Sequence, residues 1–345
     1  FLPTGNARFI DSNYAVASFY DAIGACIAMF CALSPLFGRI GFLEVFFLSW
    51  IGPFFYEINS SIFNKFYIVD TGFGMRGFLF GGMLGLWLSF FIGKRPETRE
   101  KNRFMSHYHV NALALIGAVI ICLTYPNVVS TALQFYDGFG SSIAAVVQIN
   151  MWFAVAGSIV GVFIINSLTF NKINVHDVIF VSLAGAIAFS SSSSVNFNPG
   201  AAIAIGSGIG FICALIHTPF KRWMNEDGVR ESNSVIVQFI IPGTFACIFS
   251  SILQAVNQNF FNVVISGTQQ LVQNKDPNRS PSEQAGWQLM GFVFSLGSSL
   301  ICALILGIIM RCAHNSKPHW YFNDLRFFSY GDEGAGYEDE KRLER

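Results

Sequence analysis

Residues 70–86, DTGFGMRGFLFGGMLGL, put an aspartate and an arginine at the head of a glycine-rich apolar run. At 100° per residue, Gly77, Gly81 and Gly85 share one helix face and form a stripe of small residues. Such stripes let membrane helices approach closely. Asp70, seven positions before Gly77, falls almost on that stripe and is expected to face protein. Arg76 and Phe78 fall about 100° to either side of it. Ionisable groups in hydrocarbon are costly and turn toward protein or water, so Arg76 needs a partner. Glu57, on the preceding span, is the candidate. A buried pair of that kind would lock helices together and would not by itself indicate transport.

Composition agrees with a chain that lives in a bilayer. Of 345 residues 52% are hydrophobic and 12% charged, against roughly a quarter charged in a soluble domain. Net charge is zero, so no basic field points to nucleic acid. The 38 phenylalanines suit lipid-facing and packed helix surfaces. All seven cysteines lie in or beside apolar segments without a CxxC pair, which reads as small buried hydrophobes. The chain begins with Phe, which suggests processing or partial representation, and no signal or transit peptide is visible.

Apolar stretches of about 20 residues occur near 14–36, 42–60, 71–93, 107–132, 142–165, 176–195, 198–217, 234–255 and 285–311. The expected fold is therefore an all-α polytopic membrane protein of about nine transmembrane helices. It has an N-terminal segment at 1–13, a transmembrane domain at 14–311 and a polar tail at 312–345. Lys and Arg concentrate on alternate joins, above all Lys94, Arg95, Arg99, Lys101 and Arg103. That asymmetry puts the C-terminus inside and the N-terminus outside.

Chemistry is sparse. There is no Walker motif, and Gly206, Gly208 and Gly210 lie in an Ala/Ile/Gly helix as packing residues. No Ser/His/Asp order or metal-ligand spacing stands out, so neither enzyme activity nor a cofactor or metal is expected. The serine run 190–194 either lines a polar cavity or lets helices approach. His107, His176 and His217 fall at span ends, where a solvated position is expected; His109 sits one turn deeper.

The segment GRIGFLEVFFLSWIGPFFYEINSSIFNKFYIVDTGFGM, residues 38–75, resembles the ammonium transporter/Rh family, in which an Asp follows a Glu-containing span and opens a Gly-Gly-x-Met helix. Further matches follow in order: His107-Tyr108-His109-Val110-Asn111 with Tyr125-Pro126, Val175-His176 with Leu183-Ala184-Gly185, Asn198-Pro199-Gly200, Thr218-Pro219-Phe220, Ile241-Pro242-Gly243, and the aromatic, acidic tail Tyr321-Phe322-Asn323-Asp324 with Asp332-Glu333. Each is weak alone; their colinearity from Gly38 to Glu333 carries the resemblance.

The resemblance implies an Rh-like helical bundle built from inverted repeats, with Asp70 as the family's structural acid. It also exposes departures. The family's ammonium channels carry two histidines that meet in a narrow apolar pore. The first stands eight residues after the Asp, here Phe78; the second six residues before the Pro of the Pro-Gly match, here Ile236. Losing both imidazoles removes a relay that accepts and returns a proton. The acid before the second histidine is also gone, with Glu231 nearest, and Arg76 is not part of the pattern. The match starts at the family's third span, so two helices would be lacking. These departures imply a degenerate pore in a non-conducting structural subunit. Other membrane subunits would take the place of those two helices, lipids would surround it, and it would form a homotrimer if the family assembly is kept. The alternative is a working channel for ammonia or another small neutral molecule. The expected location is the mitochondrial inner membrane, with the plasma membrane as the alternative.

Overall fold

The computed structural model describes residues 12–37, 40–92, 108–134, 141–170, 173–193, 198–226, 234–256 and 280–313. Among them the chain is helical throughout: α1 (Ser12–Leu33), α2 (Phe42–Lys65), a π-helix (Gly74–Leu79) running into α3 (Phe80–Ile92), α4 (Tyr108–Gln134), α5 (Ser141–Phe170), α6 (Val175–Val181), α7 (Ala184–Phe189), α8 (Pro199–Glu226), a second π-helix (Ile236–Ile240) running into α9 (Ile241–Val256), and α10 (Pro281–Ala313). Every stretch expected to span the membrane has its helix. Eight of the nine are long and apolar enough to cross a bilayer. The ninth, α2, falls short in composition, yet its 24 residues make about 36 Å of helix. Of the tail, Cys312 and Ala313 end α10; the rest, with His107, Glu231 and the segment 257–279, lies outside the described residues.

Small residues set the packing. A Cβ on Gly81 would run into the Ala28 backbone, and one on Gly85 into that of Ala32, so α3 lies directly against α1. Gly157 meets Ile203, Gly161 meets Ser207, and Gly206 and Gly210 meet Ala154 and Ser158; partners advance together along α5 and α8, so these two helices run in the same direction. The packing role expected for Gly206 and Gly210 is therefore seen, whereas Gly208 faces open space. Close backbone approach replaces the hydrophobic drive that lipid, itself apolar, cannot supply.

The span carrying Asp70 departs from a plain α-helix. The helix begins at Gly74, later than position 71, and its first six residues are π-helical, so the 100° register used for Arg76 and Phe78 does not apply there. Asp70 stands ahead of the helix, in the turn that starts it. Positive φ at Tyr67 (54°) and Phe73 (61°) bends the chain into that turn, a cost that surrounding bonds must offset. Side chains from three other segments and one of the turn's own supply them. Tyr20 donates its hydroxyl to Thr71 O, Tyr125 to Gly72 O at 2.5 Å, Gln284 its amide to Tyr67 O at 2.6 Å, and Thr71 its hydroxyl to Ser190 O at 2.9 Å.

Candidate functional site

Asp70 anchors the site. Its Oδ2 accepts the backbone N–H groups of Met75 at 2.8 Å and Arg76 at 2.7 Å, and its Oδ1 accepts the Ser191 hydroxyl at 2.6 Å. The carboxylate thus caps the π-helix, satisfying two amides that would otherwise be orphaned at a helix start. The serine run does allow the close approach expected of it, with Ser190 directly against Gly72 and Gly74, and it has a further role: Ser190–Ser192 form a buried 3-10 turn that seats Asp70. Ser194 lies outside the described residues.

Arg76 is buried, and its partner differs from expectation. Nη1 lies 3.4 Å from Asp21 Oδ1 and 3.2 Å from Ser60 Oγ. The guanidinium also stands over the rings of Phe73 at 4.8 Å and Tyr20 at 5.5 Å, a further attraction for a desolvated cation. Glu57 is exposed on α2 and is not its ion partner. Asp21 could have been found from sequence, because it is the only acid in the apolar run 14–36. Arg76 therefore ties α1, α2 and the π-helix together.

Phe78 occupies the centre of a different, wholly apolar cluster. It is 5% exposed, packs edge-on against Tyr125 at 5.3 Å and tilted against Phe239 at 5.8 Å, and is surrounded by Met151, Val155, Leu183, Ile187 and Val235. Ile236 is buried at the start of the second π-helix. The ring that reaches Phe78 comes from Phe239, one turn further on. No α-helical spacing from Ile236 could have revealed it, because this segment is π-helical. The two π-helices thus meet through Phe78 and Phe239. π-Helical turns often mark functional positions.

The structure also assembles a group that sequence order concealed. His217 of α8 pairs through Nδ1 with Asp177 of α6, and its Nε2 is hydrogen-bonded to Ser234 Oγ at 2.5 Å. All three are buried, so the solvated position expected for His217 is corrected. Ser234 has φ 53° and its carbonyl accepts from Val237 and Gln238, opening the helix that carries Ile236. The trio clamps α6, α8 and that helix together. Residues 57 positions apart from end to end gave no local pattern to read. His176 is partly buried with its ring stacked on Phe180, and His109 is exposed.

A family model described as Ammonium Transporter Family matches residues 9–318. Among curated proteins, Rhesus-like glycoprotein A of Dictyostelium discoideum is 25% identical over 306 residues, covering 85% of this chain and 55% of the relative. Ammonium transporter Rh type C of Homo sapiens is 23% identical over 335 residues, covering 92% of this chain and 67% of the relative. The chain thus spans between about half and two thirds of the length of these relatives. Among solved structures, Nitrosomonas europaea Rh50, of the Rhesus protein family of channels, superposes with a TM-score of 0.71 at 19% identity, over 94% of this chain and 77% of that one. Saccharomyces cerevisiae Mep2 superposes with a TM-score of 0.59 at 16% identity, over 88% and 65%.

Proposed function

The chain belongs to the ammonium transporter family, and from that premise we propose that it is an integral membrane member whose central passage is closed by apolar packing. In this reading it serves as a structural subunit of a membrane assembly and does not conduct ammonia. One observation carries the reading: Phe78, which the resemblance sets at the position of the first pore histidine, is buried between the rings of Tyr125 and Phe239. Ile236, at the second position, adds no group able to exchange a proton. Closely packed side chains leave no room for a passing molecule without moving rings that contribute several kcal/mol each by burial. The retained parts support the same reading, since Asp70, Arg76 and the glycine contacts all hold helices together. Ammonia uptake into proteoliposomes tests it; flux at the level of empty liposomes is expected. The mass of the purified assembly tests the structural role: a complex with other membrane chains supports it, and an isolated homotrimer that conducts would contradict it.

A further inference from the structure

Helices α1 and α2 enclose a groove of about 710 Å³ that runs from Asp21 and Glu57 at one end, over Ala25 and Leu48, to Leu33 and Val45 at the other. Away from the carboxylate end the lining is apolar apart from Ser49, whose hydroxyl donates to Phe46 O of its own helix. We propose that this groove binds a membrane phospholipid bearing a primary amine, its headgroup ammonium held by Asp21 and Glu57 and one acyl chain lying along the groove. The inference does not depend on whether the pore conducts.

Two independent observations favour this occupant. The first is charge. Asp21 Oδ1 already faces Arg76 at 3.4 Å, while Glu57 is exposed and has no ion partner among the described residues. Among the described residues, the end of the groove thus holds two carboxylates that share one guanidinium. A second carboxylate that draws on the same guanidinium at the edge of hydrocarbon is costly, and a mobile cation relieves it. A primary ammonium donates hydrogen bonds to both carboxylates, whereas a quaternary choline has no N–H to donate. The second observation is length. Asp21 to Leu33 is about 18 Å of helix, close to the half-thickness of a hydrocarbon core of about 30 Å. Asp21 lies just inside one end of the apolar window Phe19–Leu36. The groove is therefore as long as one leaflet's acyl chain. A transmembrane helix would need a seat roughly twice as long.

The test uses the purified full chain in detergent, titrated with phosphatidylethanolamine, phosphatidylcholine or phosphatidylglycerol of identical acyl chains, with bound lipid counted by native mass spectrometry. Phosphatidylethanolamine is expected to bind about tenfold more tightly than the other two, the equivalent of one charge-assisted hydrogen bond. Glu57→Gln, a surface change that leaves Arg76 and Asp21 intact, is expected to erase that preference. Ala25→Phe, which fills the groove, is expected to weaken all three lipids. Equal affinity for the three lipids, a preference that survives Glu57→Gln, or binding indifferent to Ala25→Phe would each overturn the proposal.

Discussion

Arg76 and Asp70 sit six residues apart and do different work. Asp70 caps a helix through two backbone amides and takes a serine hydroxyl; Arg76 joins helices through Asp21 and Ser60. Asp70→Ala would strand the Met75 and Arg76 amides and the Ser191 hydroxyl in the interior. It should lower stability by about 2–4 kcal/mol, read as a fall in the unfolding temperature of the detergent-solubilised protein. Asp70→Asn keeps acceptor capacity and should lose less. The assignment of Asp21 over Glu57 is checked by double-mutant cycles with Arg76→Ala. Coupling to Asp21→Ala should reach about 0.5–1 kcal/mol, modest because Asp21 is 30% exposed. Coupling to Glu57→Ala should be smaller, since Glu57 makes no ion pair with Arg76 and acts on it only at longer range.

At the scale of the element, the sequence was legible where periodicity and composition speak. Eight of the nine apolar runs became long helices and the run 176–195 became the short pair α6 and α7, and the Gly77/Gly81/Gly85 stripe predicted the face that meets α1. What stayed hidden has physical reasons. A π-helical start shifts the register by which Arg76 and Phe78 were placed, and nothing in GMRGFL announces it. Asp177, His217 and Ser234 come together only because α6, α8 and the second π-helix converge, and a buried trio on three elements has no local spacing. Two predictions belong here. Gly81→Leu would collide with the Ala28 backbone and should prevent recovery of folded protein in detergent, visible as loss of a single size-exclusion peak. His217→Leu should destabilise by about 3 kcal/mol, because it leaves Asp177 as a buried charge without its partner. The double change His217→Leu with Asp177→Leu should recover part of that loss.

For the whole molecule, the resemblance read from colinear motifs and the family match agree, and superposition on Rh50 shows the same fold. The resemblance assigns Phe78 and Ile236 to the family's pore positions; the identity of the residue facing Phe78 was not legible, because side-chain direction at a π-helical turn is set by tertiary packing. The account holds that this family's scaffold has been kept while its passage is filled by rings. Stopped-flow measurement of ammonia entry into proteoliposomes, by internal pH change, tests that most directly. The account predicts a rate equal to that of empty liposomes for the natural chain. Ammonia entry clearly above empty liposomes, abolished when Phe78 is replaced by Trp, would contradict it.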